Sequence, residues 1–538
     1  MVDRFFSAML DCCSGEPMKY DTIVVGAGSA GVIVASRLSE DPQRSVLLLE
    51  AGPDYPDLEQ LPEEIKFGYG RDRNIWARAF GRGSRHDWGF VGRSTDLAGP
   101  MAVPRGKIVG GSSAVNAQIF LRGVPEDYDR WAALGNEGWS FQELLPYFRK
   151  MEADADFGGD FHGSDGPIVA RRFSKREWNP DQRAFYDAAR AAGYPDCPDH
   201  NSPDSAGVGP LALNNPDGVR WSTAIGYLSS ARHRVNLTIK PDCLVYRVLF
   251  EGVRAVGVQV ESGGEMFGVY GDEIVLSAGP IGSPHILMLS GVGPAESLSR
   301  LDIPVVLDVP GVGQNLRDHP QVPVVLQTTD ELRQDGLEPR LQVGLRYTAE
   351  GSDLRNDVFI VPHSFAVPEG YYVVSESPPI GVYIVPVLNL AVGSGTIGLT
   401  SRDPHVQPYL DYNFLQDPFD RRRLREAVRI SVQLAKREEF SKIVERRVDP
   451  TDADLESNDA LDRWMMTKVQ TSHHISATCK MGPSSDPKAV VDQAGKLRGV
   501  EGLRVADASI MPDCIRANTN VTTMVLGERV ADLIKEGL

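Results

Sequence analysis

Three glycines and one carboxylate near the start of the chain have the types and spacing to grip a dinucleotide. In Gly26-x-Gly28-x-x-Gly31 the first glycine permits a tight turn, the second lets the main chain approach a pyrophosphate, and the third allows a helix to pack closely on a strand. The free N–H groups at the start of that helix then face the phosphates. Glu50, 19 positions beyond Gly31, stands where a carboxylate would accept hydrogen bonds from the ribose hydroxyls of an adenosine. A second glycine turn, Gly106-Lys-Ile-Val-Gly110-Gly111-Ser112-Ser113-Ala114-Val115-Asn116, offers consecutive main-chain N–H groups and small side chains that a flat ring or a diphosphate could approach. NAD and FAD both carry ADP, so the fingerprint alone leaves the choice between them open.

Positioning these groups requires particular elements. Residues 20–26 are a β-branched run ending in glycine, expected as a buried parallel strand. Val32, Ala35 and Leu38 fall at helical spacing before Asp41-Pro42, and a second apolar strand ends at Glu50. Strand, glycine turn, helix and strand in this order make a βαβ unit. Residues 61–101 lack periodicity and suggest an irregular covering segment, within which Trp76, Trp88 and Phe90 must find packing partners. The second glycine turn is expected to lead into a helix. Residues 235–260 read as strand, turn, strand; 273–278 read as a short strand ended by Gly279-Pro280, with a helix closed by Ser290-Gly291 after it. Alternating apolar runs between 322 and 410 predict a mainly antiparallel sheet and therefore a second domain. Residues 417–437 predict an amphipathic helix whose basic stripe faces solvent.

Composition narrows the partners. With 538 residues the chain is long enough for two or three domains around a ligand-sized cavity. A net charge of −17 and no long Lys/Arg block argue against nucleic acid or anionic lipid as a standing partner. The six cysteines, Cys12, Cys13, Cys197, Cys243, Cys479 and Cys514, show neither C-x-x-C nor zinc-ligand spacing, so no metal site is expected and a reducing, cytoplasmic setting is. Residues 1–17 lack the pattern of a secretory signal and read as a dispensable extension, with Met18 a candidate natural start. The longest apolar runs, such as 380–387, are too short to cross a bilayer.

Taken together, the fingerprint at 26–31, GKIVGGSSAVN, GPIGSPHILMLSGVG, PGVGQNL at 310–316, HHISATCKMG at 473–482 and the VADASIMP…ANTNVTTMVLGE tail resemble the glucose–methanol–choline (GMC) oxidoreductases, FAD-dependent enzymes that mostly oxidise alcohols. The resemblance runs from Met18 to Leu538 and is closest in pattern to bacterial choline-dehydrogenase-like and aryl-alcohol or hydroxymethylfurfural oxidase members. It implies an α/β (α+β) fold, with a Rossmann-like FAD-binding domain assembled from 18–150, 206–315 and 461–538. A substrate-binding domain of 151–205 and 316–460 is built on a mainly antiparallel sheet. His474 and Asn518 correspond to the family's catalytic pair. An imidazole near neutrality can take the hydroxyl proton as the carbinol carbon gives a hydride to flavin N5, and an amide can donate to the developing alkoxide. The resemblance also implies FAD contacts from Gly26, Gly28, Ser29, Ala30, Gly31, Glu50, Ala51, Gly110, Gly111, Ser112, Asn116, Ala117, Val245, Ala278, Gly279, Asp507, Ala508, Asn518 and Thr519. Some relatives bind FAD covalently through a histidine in the second glycine turn; Val115 stands there and offers no nucleophile, so non-covalent FAD is expected.

If residues 473–474 are extended, the two histidines point to opposite faces and only one meets the flavin. The motif aligns His474 as the base and leaves His473 to flank the pocket or pack elsewhere; Ile475 stands where many relatives have proline. From the second domain His363, Phe365, Tyr383 and Ile384 are candidate pocket residues, mostly apolar or aromatic, which favours a flat neutral primary alcohol over a sugar. Electrons would pass to O2 or another acceptor. A choline-type dehydrogenase, a hydroxynitrile lyase that keeps FAD without net redox, and an NAD-dependent dehydrogenase are the alternatives, and the oligomeric state is left open.

Overall fold

The computed structural model describes residues 19–81, 83–332, 335–370 and 373–538; the expected extension at 1–17, with Cys12, Cys13 and the candidate start Met18, lies outside them. The strand Lys19–Val25 pairs in parallel with Val46–Leu49 on one side and with Glu265–Leu276 on the other. Ile23, Val24, Val46 and Leu48 are wholly buried, as strands covered on both faces must be. The helix Gly31–Leu38 crosses between the first two strands. Its entry depends on Gly31, where an added Cβ would stand 1.9 Å from the Gly26 carbonyl oxygen and 2.9 Å from the Ser277 Cβ. The parallel part of the sheet also holds Leu237–Lys240 beside Val46–Leu49 and Leu503–Val505 beside Glu265–Leu276. Leu244–Glu251 and Arg254–Ser262 extend it by antiparallel pairing.

The second sheet is antiparallel in every pairing. Its main path runs Val444–Asp449, Val324–Thr328, Gly381–Leu388, Val358–Ala366, Val343–Tyr347 and Gly207–Pro210, with Pro320–Gln321 and Gln470–Thr471 paired at its margin. Strand periodicity sets Phe359, Val361 and His363 on one face. The helix Pro418–Lys436 packs against the central strands.

Several expectations need correction. Gly207–Pro210 and Gln470–Thr471, grouped by sequence with the nucleotide-binding part, pair into the second sheet. The second glycine turn leads only into the short 3-10 turn Gly111–Ala114. Local side-chain bonds compete with a helix there: Ser113 Oγ donates to the Gly110 carbonyl and Asn116 Oδ1 accepts from the Gln118 N–H. Residues 61–101 carry ordered pieces, the short helix Ile75–Phe80 and a ribbon of Phe90–Gly92 with Met101–Val103. Trp76 is buried, whereas Trp88 is 36% exposed and stacks on Phe90 with ring centroids 5.7 Å apart. The stripe on 417–437 is not wholly solvated: Arg423 is fully buried and pairs with Asp357 and Asp420 at 2.7 and 2.6 Å. No described helix is long and apolar enough to cross a membrane.

Arg122, which follows the second glycine turn, is anchored by a buried ion cluster. Arg122, Arg172 and His162 face Glu152, Asp154 and Asp199, three cations to three anions if His162 is protonated. His162 Nδ1 lies 3.2 Å from Asp154 and Nε2 3.0 Å from Asp199, so both ring nitrogens donate, as in an imidazolium rather than a metal ligand. Burial would lower its pKa, but the Asp154, Asp199 and Glu152 carboxylates outweigh burial and raise it to about 10. A raised pKa gives stability that is fully present below the unfolded value near 6.5 and lost as pH rises through 10. His162→Gln is therefore expected to lower stability at pH 6 by roughly 3–5 kcal/mol. Denaturant unfolding should show the gap to wild type closing between pH 6.5 and 10; a gap that does not change with pH counts against the imidazolium.

Candidate active site

A cavity of about 490 Å³ lies outside the carboxyl ends of the parallel strands and reaches the second sheet. Open α/β sheets place ligands at this end. At the nucleotide end Glu50 is buried, and its two carboxylate oxygens accept the Ala27 and Gly52 N–H groups, each at 2.9 Å. Burial pushes its carboxyl up to about 7 against the pull of these donors. Each oxygen keeps a second lone pair, so ribose hydroxyls can donate to the pair and favour its charged form. Gly28 has its would-be Cβ no closer than 3.9 Å to any other residue, in the cavity wall, so its missing side chain leaves room for a ligand rather than for protein. Gly111 is different: a Cβ there would meet the Gly28 Cα at 2.6 Å, so the two glycine turns touch main chain to main chain. Asp507 accepts from the Gly279 N–H at 2.9 Å and from Ser283 Oγ, which fixes the start of the helix Gly279–Leu289 beside the cavity.

At the other end the polypeptide crosses itself. Residues 317–321 run antiparallel to 470–476 through bonds between Arg317 and Ser476 and the pairing of Pro320 with Thr471. Along this crossing His319 Nδ1 meets His474 Nδ1 at 2.9 Å. Asn518 Nδ2 lies 2.9 Å from His474 Nε2. An amide N–H donates, so Nε2 keeps its lone pair; the proton of a neutral His474 is on Nδ1 and is donated to His319. Burial, together with His319, His473 and Arg105, holds His474 well below the ordinary imidazole range, and burial takes His319 to about 4. Asn518 stands at the start of the terminal helix Thr519–Lys535, and its side chain makes no capping bond there, which leaves the amide for His474.

The tandem histidines are not extended. His473 has φ +66°, a left-handed conformation, and both rings line the cavity instead of opposing faces. Arg105 Nη1 donates to the His473 carbonyl at 2.7 Å and holds the kink. Every residue expected to contact the cofactor lines the cavity except Gly31 and Gly110. Gly31 serves the helix–strand contact, and Gly110, with φ +101°, donates its N–H to the Ala27 carbonyl and joins the two glycine turns. His363 lines the cavity; Tyr383, Ile384 and Phe365 do not. Ile384 is wholly buried on the other face of its strand, and the Tyr383 hydroxyl bonds the main chain at Val367 and Gly370 outside the cavity.

Phe359, Val361 and Val387 of the second sheet, with Leu341 just before the strand Val343–Tyr347, form an apolar wall. Sequence reasoning missed His319 and its neighbour Asp318. Their signal was the charged Arg317-Asp318-His319 directly after the PGVGQNL run, three polar residues that are all more than nine-tenths buried.

Family models for the N- and C-terminal parts of the GMC oxidoreductases match residues 20–321 and 391–527. The mitochondrial choline dehydrogenase of Mus musculus is 37% identical, with 96% of this chain and 89% of that protein aligned. A 5-(hydroxymethyl)furfural oxidase of Methylovorus sp. is 36% identical over 96% of this chain and 98% of its own. The crystal structure of pyridoxine 4-oxidase from Mesorbium loti superposes with a TM-score of 0.87 at 29% identity, covering 96% of this chain and 99% of that one. The chain belongs to the GMC oxidoreductase family, and it is an FAD-dependent alcohol oxidoreductase.

Proposed function

We propose that the enzyme oxidises a neutral primary alcohol, aromatic or of similar shape, to its aldehyde, with His474 as the base. The observation that carries this reading is the lone pair on His474 Nε2, held on a neutral ring beside the Asn518 amide in a cavity continuous with the nucleotide end. A hydroxyl that enters between them donates to Nε2 and accepts from Nδ2. His474 then takes the proton at Nε2, and its Nδ1–H, already shared with His319, lets the positive charge spread over two rings. Asn518 steadies the charge on oxygen, helped by the helix N-terminus at which it stands. FAD, when bound, would supply the hydride acceptor, with O2 or another acceptor as the final oxidant. Gly28, Glu50, Gly111 and Asp507 are the residues that would hold it, without a covalent bond because Val115 has no nucleophile.

Charge favours a neutral substrate over choline. Among the described residues the carboxylates lining the cavity are Glu50 and Asp507, both occupied by main-chain donors at the nucleotide end. Arg105 and Arg346 also line it, and among the described residues neither pairs with a carboxylate: Arg105 donates to the His473 carbonyl, and Arg346 to His200, Ser205 and Arg516 oxygens. A quaternary ammonium gains from aromatic rings and from an anion; Trp76, Phe80, Trp88, Phe90 and Phe359 line the cavity, but among the described residues no carboxylate lines it away from the nucleotide end, and Arg105 and Arg346 do. The apolar wall of Phe359, Val361 and Val387 suits a flat ring.

Anaerobic mixing with benzyl alcohol, choline and glucose, followed by air, tests the reading: benzyl alcohol should bleach the flavin fastest. Choline as the preferred reductant would select the choline-type alternative, and a flavin that no alcohol bleaches would select a lyase. His474→Ala should slow bleaching by about 10²-fold or more. Because His474 is held well below 6.5, the wild-type rate should stay flat above that pH and fall only below it; a limb centred above pH 7 contradicts the assignment. Gly28→Val should fold, because its side chain enters open space, yet be purified colourless; Gly31→Ala should instead lose stability, measured by thermal unfolding.

A further inference from the structure

Asp318 does not line the cavity and has no ionic partner within bonding distance among the described residues, yet it is 4% exposed and uses both of its oxygens. Its Oδ1 accepts two main-chain N–H groups, that of His319 at 2.7 Å and that of His474 at 3.0 Å. Its Oδ2 accepts from the Thr471 hydroxyl, whose oxygen in turn accepts the His473 N–H at 2.7 Å. One carboxylate thus ties down the main chain at all three histidines of the site. The main-chain nitrogens from which the His319 and His474 side chains depart are both fixed to a single oxygen atom, and the two imidazoles that branch from them meet at 2.9 Å. Ring positions this sensitive need such a support, since the segment has no regular structure: His473 is left-handed, and the strand pairing ends at Thr471.

We propose that Asp318 is a positioning residue for the reaction, acting by where its Oδ1 stands and not by its charge. The proposal rests on the assignment of His474 as base and extends it. Oδ1 does the work of a two-donor acceptor that any correctly placed carbonyl oxygen could do. An asparagine keeps such an oxygen, and its Nδ2 can donate to Thr471 Oγ1, which has a further lone pair beyond the one that receives the His473 N–H. A glutamate keeps the charge but moves the oxygens by one methylene, which shifts the His474 main chain relative to Asn518. Misplacement by about 1 Å can cost about 10²-fold in rate.

Asp318→Asn and Asp318→Glu are therefore opposed tests, read as the limiting rate of anaerobic flavin bleaching by benzyl alcohol in holoenzymes of equal FAD content. The expected result is Asn within about 3-fold of wild type and Glu slower by up to about 10²-fold, with the alcohol concentration at half-maximal rate changed little in either. In a His474→Ala background the Glu substitution should add no further loss. A slow Asn variant with a fast Glu variant would show that the charge is what matters, and two fast variants would show that Asp318 has no part in the rate; either overturns the proposal. An additive loss in the His474→Ala background also overturns it, because the effect would then not pass through His474. If the Glu variant does not fold, Asp318→Ala, which removes the oxygen that both N–H groups share, takes its place: a slowed rate beside a fast Asn variant is expected, and a rate kept in both overturns the proposal. Failure of the His474 assignment itself is separable: His474→Ala would then bleach at the wild-type rate whatever residue 318 is.

Discussion

Two imidazole nitrogens 2.9 Å apart, contributed by segments 155 residues distant in sequence, are the constraint on which the site depends. Neither segment has more than a two-residue strand to hold it. Residues 317–321 and 470–476 hold each other, through a short antiparallel pairing and the carboxylate of Asp318. That crossing lies at the margin of the second sheet, while Asn518 comes from the helix that closes the chain and packs on Gly31–Leu38 of the nucleotide-binding part. The proposed base and its amide partner are thus brought together where the second sheet meets the nucleotide-binding part.

Burial does two different things in this molecule. At His474, His319 and His473 it keeps three imidazoles neutral, and a neutral ring is the form that can accept a proton. At His162 the same desolvation is outweighed by three carboxylates, and the ring becomes the third cation of a balanced cluster. What separates the two cases is the neighbours. Arg105 lies by the histidines of the cavity and adds to the pressure against protonation of His474. On the proposed reading a proton taken from the alcohol would enter a site that resists holding it, and the contact with His319 would ease that resistance by sharing it between two rings.

Much of the nucleotide end was legible in the sequence because its logic is local. Gly26, Gly28 and Gly31 each have a steric reason that spacing alone reveals, and Glu50 follows from the strand on which it ends. The pairing of His474 with Asn518 was legible only through resemblance, since the two meet by tertiary packing and no periodicity marks them. His319 and Asp318 were missed because their function lies in a contact with a segment far along the chain. Adjacent-residue reasoning failed twice in opposite ways: His473 and His474 share a cavity because a left-handed residue breaks the alternation, whereas Ile384 leaves the pocket because its strand obeys it. The helix expected after the second glycine turn was lost to Ser113 and Asn116, whose side chains take up main-chain groups that a helix needs.

The claim at the centre is that His474 rests as a neutral ring with its proton on Nδ1 and a lone pair on Nε2. Nitrogen-15 NMR of the oxidised holoenzyme labelled at histidine, with the His474 signals assigned by comparison with His474→Gln, measures this directly at pH 7. The expected spectrum has a protonated Nδ1 and an unprotonated Nε2 for His474. A doubly protonated imidazolium at that pH, or a proton resident on Nε2, would contradict it.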